Sequence, residues 1–213
     1  MTLLSRRAFA TAAAASLLLS CGGHRTGDDR ETTAHPESTP PPPTAGTSPS
    51  SRSSANSART LGRSVPVRLQ VPAIGVDTPV MRLGLAADGS VQVPPITAHD
   101  RAGWYQHSPT PGQTGPSVIL GHVTVGAYGD GVFRHLARLG RGERIVARLE
   151  NGTTATFAVD AVRTVAKDDF PADAVYGDVD RPELRLITCG GPRTGEDYRD
   201  NVIVFATLNS ASP

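Results

Sequence analysis

The sequence has almost no excess charge of either sign, since 21 Lys and Arg oppose 20 Asp and Glu among 213 residues, for a formal net charge of +1. That balance argues against a nucleic-acid-binding domain, which normally carries a basic surface, so no nucleic acid is expected as a partner. The sequence also lacks clustered Cys and His pairs and any loop of the EF-hand type. We therefore expect no metal and no other cofactor.

Long apolar runs are missing as well, and the one candidate lies at the N-terminus. Arg6 and Arg7 precede an uncharged stretch from Ala8 to Ser20, which is shorter than the roughly 20 residues of a membrane-spanning helix. The pattern predicts a signal peptide over residues 1–21. The paired arginines favour twin-arginine export, with general secretion as the alternative.

Cysteine is scarce, with only two residues of this type in the chain. The first, Cys21, ends the leader within Leu-Leu-Ser-Cys-Gly, which resembles a bacterial lipobox and predicts lipidation at Cys21 and anchoring to the membrane. Cys189 is then left without a partner. Three interpretations stay open from composition alone: a buried inert thiol, an intermolecular disulfide, or a reactive nucleophile.

A polar segment separates the leader from the rest of the chain. Residues 22–63 are rich in Ser, Thr and Pro, including four consecutive prolines, and contain little that could be buried. We predict a disordered spacer there, in which His24 and His35 are solvated rather than metal ligands. Residues 64–209 have the length and apolar content of one compact domain.

Within that domain the pattern favours a mainly β fold. Apolar residues alternate from Val65 to Val71, as in a half-buried strand. The further predicted strands are Val91–Val93, Ser117–Leu120, Arg144–Leu149, Thr153–Val159, Glu183–Thr188 and Asn201–Thr207. Asn151-Gly152 predicts a tight hairpin, whereas helical signals are confined to Val132–Leu139 and a turn at Pro171–Tyr176. Short strands at this spacing indicate a barrel or a sandwich.

Two of the predicted strands end in residues with reactive side chains. His122 follows one of them, and Cys189 follows the other within Thr-Cys-Gly-Gly. The end of a strand holds a side chain rigidly and lies next to a loop. Two such ends can therefore place a nucleophile and a base in a common cleft. Gly190 allows a tight turn after the thiol and close approach of the backbone to a reacting carbonyl. Arg199 enters the next strand, and a guanidinium there can donate hydrogen bonds to an oxyanion.

Other histidines and arginines compete for these roles. We expect His99 and His107 to be exposed loop residues and His135 to lie on the surface. Arg185 should point away from its apolar neighbours, whereas Arg193, in a Gly-Pro-Arg-Thr-Gly loop, is the main alternative to Arg199.

The ordered motifs together resemble those of sortases, and Thr-Cys-Gly-Gly followed by Tyr-Arg-Asp-Asn-Val is similar to class F sortases of actinobacteria. Further motifs of the resemblance are Val-Pro-Ala-Ile-Gly-Val from Val71, Ala-Gly-Trp-Tyr from Ala102, Gly-His-Val at His122 and Gly-Val-Phe from Gly131. The resemblance implies a closed eight-stranded β-barrel with short crossover helices. It implies catalytic roles for His122, Cys189 and Arg199, while Thr188 and Gly190 are expected to bind substrate.

The chain departs from the family pattern at two points. Thr124 stands where many relatives have an acidic residue, which bears on the loop that follows His122. The predicted lipobox is the second departure, because sortases are usually anchored by a transmembrane helix.

The function that the resemblance implies is a cysteine transpeptidase of the hydrolase class. It would cleave a Leu-Pro-x-Thr-Gly-type sorting peptide through a thioester on Cys189 and transfer the acyl group to an amine, such as a peptidoglycan precursor. We expect a monomer on the outer face of the cytoplasmic membrane of a Gram-positive bacterium. One alternative is a lipid-anchored cell-wall binding module without activity. Another is an L,D-transpeptidase-like enzyme, a family that has His-Gly before its cysteine, where this chain has Ile187-Thr188.

Overall fold

A computed structural model describes residues 60–195 and 197–213 of the chain. The predicted signal peptide with Cys21, and the predicted spacer up to residue 59 with His24 and His35, lie outside the described residues. In the part that is described, no helix has both the length and the apolar character needed to cross a bilayer.

Strands dominate the described part of the chain. In chain order they are β1 (Pro66–Val71), β2 (Val76–Leu83), β3 (Ala102–Tyr105), β4 (Gly115–Leu120), β5 (Thr124–Val125), β6 (Gly129–Asp130), β7 (Arg144–Leu149), β8 (Thr154–Ala166), β9 (Pro182–Thr194) and β10 (Asp197–Ser212). A single α-helix, α1 (Ala172–Tyr176), lies between β8 and β9, and the other helical turns in this region are 3₁₀.

Eight strands close into a barrel in the order β1-β2-β3-β4-β9-β10-β8-β7, and β7 pairs back with β1. Strands β5 and β6 form a separate two-stranded sheet. The mainly β fold and the eight-stranded barrel that the resemblance implied are therefore confirmed. The Asn151-Gly152 hairpin is confirmed too, because β7 and β8 pair antiparallel on either side of it and Gly152 has a φ of 86°.

Three local predictions were wrong. Val91–Val93 is not a strand, since only an isolated bridge joins Val91 to Leu85. Val67 is exposed rather than half-buried, because the β1–β7 register shifts between Pro66 and Arg68.

Val132–Leu139 was predicted as a helix and contains only the short 3₁₀ turn Leu136–Arg138. The amide of Val132 donates to the carbonyl of His99, and the amide of Phe133 donates to that of His122. These bonds tie the start of the segment to neighbouring loops. Further along, the amides of Leu136, Arg138 and Leu139 donate to carbonyls three residues earlier, as in a 3₁₀ turn, and not four residues earlier as in an α-helix. Phe133, Leu136 and Leu139 are all buried. Their three-residue spacing therefore reflects burial and not an α-helix.

The barrel is packed on both faces where β4, β9 and β10 meet. Inward-facing side chains such as Leu184 and Leu186 belong to the main core. On the outer face, Val118, Ile187 and Ile203 form a second cluster with Val175 of α1. Helix α1 thus covers one side of the wall formed by these strands, which explains why their sequences are nearly continuous apolar runs.

Candidate active site

Cys189 lies on the outer face of β9 and is a free, half-buried thiol. Side chains alternate between the two faces of a strand, so Cys189 shares its face with Ile187 of the outer cluster, two residues earlier. Thr188, between them, points to the opposite face of the strand and is only 4% exposed. The sequence therefore aims the thiol away from the barrel core and toward the surface.

His122 lies level with Cys189 because β4 and β9 are parallel neighbours. Leu120 pairs with Ile187 at the end of the ladder, and the amide of Gly121 donates to the carbonyl of Ile187. Two residues further along each chain come His122 and Cys189. The register thus brings the imidazole and the thiol to the same level at the same edge of the sheet.

The two side chains line one cavity of about 160 Å³. Thr188 and Asn201 also line this cavity, and the remaining lining residues are Val93, Pro94, Leu120, Gly121 and Ile187. Among the residues predicted from sequence, the structure brings together His122, Cys189 and Thr188. Gly190 lies next to Cys189 in β9 but is not part of this lining, and a Cβ there would lie 2.5 Å from a methyl group of Val202.

A segment between β2 and β3 holds the imidazole ring. The Nε2 atom of His122 lies 2.6 Å from the carbonyl oxygen of Pro94, a buried residue of that segment. A carbonyl only accepts hydrogen bonds, so this contact requires the hydrogen on Nε2 and, in the neutral ring, leaves Nδ1 as the acceptor.

The loop after His122 is tied to the neighbouring hairpin. The Tyr198 hydroxyl donates to Oγ1 of Thr124 at 3.0 Å, and Tyr198 belongs to β10, which pairs with the strand that carries Cys189. Thr124 thus connects the His122 loop to the β9–β10 hairpin.

Arg199 is placed differently from the other predicted residues. It is exposed and lines a separate depression of about 360 Å³, together with Ala166, Lys167, Asp168, Pro192 and Asp200. The β9–β10 register shifts between Tyr198 and Asp200, because two residues of β9, Gly191 and Pro192, lie opposite Arg199 alone. The structure does not bring Arg199 into the cavity with Cys189, and its catalytic role stays a prediction.

Sequence reasoning missed Asn201. In the β9–β10 ladder this residue is paired with Cys189. Its place opposite the thiol depends on the number of residues in the hairpin turn and on the register shift, neither of which a strand pattern reveals. The sequence offered one signal. Asn201 lies two residues before Ile203, so both side chains lie on the same face of β10, the face of the outer cluster.

The competing arginines have other contacts. Arg193 is exposed and lies over the Tyr198 ring at 5.5 Å. Arg185 points away from the core, as expected, but is buried, where it forms an ion pair with Glu183 and stacks over Phe205 at 4.6 Å. Neither arginine lines the cavity that contains Cys189.

The competing histidines also lie outside that cavity. His107 is exposed, as predicted, with its ring edge-on to Tyr105 at 5.5 Å. His99 is half-buried rather than exposed, because its ring packs against Tyr128 at 5.4 Å. His135 is also half-buried.

An aromatic cluster flanks the outer face near α1. The Tyr176 ring lies 6.3 Å from Tyr105 and 6.1 Å from Phe170. Burial raises the pKa of the Tyr176 phenol, and the charge of a nearby ionised Tyr105 would raise this pKa further. Tyr176, the last residue of α1, is therefore uncharged at physiological pH.

The family model of the sortase domain matches residues 69–209. Among solved structures, a lid mutant of sortase A from Corynebacterium diphtheriae is 21% identical with a TM-score of 0.55, covering 72% of this chain and 74% of that one. Sortase C-1 from Actinomyces oris is 20% identical with a TM-score of 0.53, covering 68% and 74%.

A third similar structure is a sortase D5 transpeptidase from Clostridium perfringens, 20% identical with a TM-score of 0.52, covering 68% of this chain and 79% of that one. At these identities the structures share the fold. None of the curated proteins matches the chain.

Proposed function

The chain belongs to the sortase family of cysteine transpeptidases, and from that premise we propose that it cleaves a sorting peptide of Leu-Pro-x-Thr-Gly type through a thioester on Cys189. The acyl group then passes to an amine such as a peptidoglycan precursor. We assign it to the class F type because of the Thr-Cys-Gly-Gly and Tyr-Arg-Asp-Asn-Val motifs.

The proposed mechanism uses two residues of the cavity. The Cys189 thiolate attacks the scissile carbonyl carbon, so a C–S bond forms and the carbonyl electron pair moves onto oxygen. The tetrahedral species collapses as the C–N bond breaks, and His122 gives a proton to the departing amine. In the second half, His122 takes a proton from the incoming amine, which attacks the thioester and releases the thiolate. Water in place of the amine would give hydrolysis.

One observation carries this proposal: the parallel β4–β9 register brings His122 level with Cys189, and both line one cavity. An inactive binding module would have no need of a half-buried free thiol beside an imidazole. The L,D-transpeptidase alternative is less well supported, because a buried Thr188 precedes the cysteine instead of His-Gly.

We further propose that the enzyme works at the cell surface of a Gram-positive bacterium, as a monomer anchored through lipid on Cys21. The lipobox-like Leu-Leu-Ser-Cys-Gly supports this anchor. Thr188, which lines the cavity, is the proposed substrate-binding residue.

Mass spectrometry of the full chain in detergent tests the proposal. Incubation with a panel of Leu-Pro-x-Thr-Gly-type peptides should give a thioester mass on Cys189, and an added amine should convert it to an amide product. Cys189→Ala should abolish the adduct, whereas Cys21→Ser should retain it. If iodoacetamide alkylates Cys189 but no peptide acylates it, the result contradicts the transpeptidase proposal and favours the binding-module alternative.

A further inference from the structure

We propose that Lys167 is an internal amine acceptor, so that without an external amine the enzyme transfers the acyl group from Cys189 to its own Lys167 side chain. The inference rests on the proposed function, because it requires a thioester on Cys189.

The first step is composition. Lys167 is the only lysine among the 21 Lys and Arg residues of the chain. A guanidinium stays protonated and is not a nucleophile, whereas a lysine amine attacks carbonyl carbons. Within the part of the chain that the structure describes, every ion pair uses an arginine as its cation. The chain therefore offers a thioester a single side-chain amine, and the position of this amine decides whether it reacts.

The second step is the face of the sheet on which Lys167 lies. Cys189 is paired with Asn201 across β9–β10, and Asn201 is paired with Val165 across β10–β8. Val165 packs against the outer cluster, so this row of side chains lies on the face that carries the thiol. Lys167 follows Val165 by two residues, and the backbone of Ala166 between them is extended, with a ψ of 148°. Side chains two residues apart in an extended segment share a face, so Lys167 lies on the same face as Cys189.

The third step is distance. Lys167 is exposed and lines the depression together with Asp200, whereas the next residue, Asn201, lines the cavity with Cys189. The depression and the cavity are therefore neighbours. Two strand spacings of about 4.8 Å and two residue steps of about 3.3 Å place the Cα atoms of Lys167 and Cys189 roughly 12 Å apart. The flexible four-carbon stem of the lysine and the acyl group on Sγ approach each other across this distance.

The chemistry is the second half of the proposed reaction with an internal amine. The uncharged amine of Lys167 attacks the carbonyl carbon of the thioester, so a C–N bond forms. The C–S bond then breaks, Cys189 leaves as the thiolate, and His122 takes the proton that the nitrogen loses. The product is an amide on Lys167. Because both groups belong to one chain, the amine has an effective concentration on the order of 1 mM without any external acceptor.

The test places an acyl group on Cys189 without a peptide substrate. The full chain carries Cys21→Ser, so Cys189 is its only thiol. The S-acetyl thioester of N-acetylcysteamine exchanges with this thiol and gives acetyl-Cys189. Hydroxylamine afterwards removes acetyl groups from sulfur and leaves those on nitrogen, which mass spectrometry of the digested chain then locates. We expect acetyl-Lys167 to accumulate after the thioester has formed.

Two variants separate transfer from direct acetylation by the reagent. Lys167→Arg keeps the positive charge but has no acceptor, so it should hold the thioester longer and give no hydroxylamine-resistant acetyl group at this position. Cys189→Ala keeps the amine but has no thiol, and it should lose acetyl-Lys167. A mixture of the two variants should also give none, because the thiol and the amine then belong to different molecules.

The outcomes separate this inference from the proposed function. Acetyl-Cys189 without acetyl-Lys167, undiminished acetyl-Lys167 in Cys189→Ala, or acetyl-Lys167 in the mixture would overturn the inference and leave the transpeptidase proposal in place. Failure of every sorting-type peptide to acylate Cys189, with acetyl transfer to Lys167 intact, would count against the proposed function and not against Lys167 as an acceptor.

Discussion

The Nε2 atom of His122 lies 2.6 Å from the carbonyl oxygen of Pro94, and the next residue, Pro95, restricts the backbone of Pro94 to an extended conformation. The carbonyl direction is thus preset by two consecutive prolines. We predict that neutral His122 carries its hydrogen on Nε2. Nitrogen NMR of the imidazole rings distinguishes the two tautomers, and His107, which is exposed, provides the reference.

The double change Pro94→Gly and Pro95→Gly should release this constraint. We expect a larger fraction of the Nδ1–H tautomer at His122 and no change at His107. A neutral His122 that already carries its hydrogen on Nδ1 in the unchanged protein would contradict the hydrogen bond to Pro94.

A second prediction concerns the packing beneath His122. A Cβ added at Gly131 would clash with the carbonyl oxygen of His122 and lie 2.7 Å from its Cβ. Because a backbone atom is in the way, Gly131→Ala must displace the His122 loop, and a displacement of about 1 Å can cost roughly 100-fold in rate. We expect acyl transfer from Cys189 to an amine to fall by about that factor.

Gly140→Ala is the matched control, because a Cβ at Gly140 would have Glu143 at 4.0 Å as its nearest neighbour. This variant should retain normal transfer. Equal activity of Gly131→Ala and Gly140→Ala would show that the position of the His122 loop is not set by Gly131.

The strand patterns predicted a barrel or a sandwich, and the resemblance to sortases implied the closed eight-stranded barrel. The patterns also predicted that His122 and Cys189 follow strands, because apolar runs mark buried strands and these two residues come directly after them. It did not predict the β9–β10 register, since the shift before Asp200 depends on how the hairpin closes. That register decides which of Arg199 and Asn201 lies opposite the thiol. The helix predicted at Val132–Leu139 was wrong because the amides in the second half of the segment donate to carbonyls three residues earlier, which gives a 3₁₀ turn instead of an α-helix.

A third prediction separates stability from substrate binding at Thr188. Its hydroxyl is buried and finds no hydrogen-bond partner within the described residues, and an unmet buried hydroxyl costs about 1–3 kcal/mol. Thr188→Val keeps the shape and removes that polar group. We expect the free energy of unfolding to rise by about 1 kcal/mol, while kcat/KM for a sorting-type peptide falls because Thr188 is a lining residue of the cavity and its proposed role is to bind substrate.

Ser117→Ala is the control for this experiment. The Ser117 hydroxyl is also buried without a partner within the described residues, but Ser117 is not among the residues that line the cavity with Cys189. Its loss should leave kcat/KM unchanged. If Thr188→Val has the same kcat/KM as the unchanged protein, Thr188 fills the barrel wall and does not bind substrate.

The last prediction concerns the buried ion pair that attaches α1 to the barrel. Arg185 and Glu183 are 3% and 6% exposed and form an ion pair, and Arg185 also donates to the carbonyl of Ala174 in α1 at 3.2 Å. Glu183→Gln leaves the buried charge of Arg185 without an ion-pair partner, which typically costs about 3–5 kcal/mol. Arg185→Met leaves Glu183 with a second partner, because Nε of Arg181 donates to its other carboxylate oxygen at 2.7 Å. We expect Glu183→Gln to lower the free energy of unfolding in urea by about 3–5 kcal/mol and Arg185→Met to lower it by less.

The double variant should lose clearly less than the two single variants together, because it leaves no unpaired charge. Arg68→Met serves as the exposed control, since the Arg68–Asp77 pair lies at the surface and its loss should change stability little. Strict additivity of the two buried changes would mean that the charges do not interact. Arg185 would then stabilise the fold only through its contacts with Ala174 and Phe205.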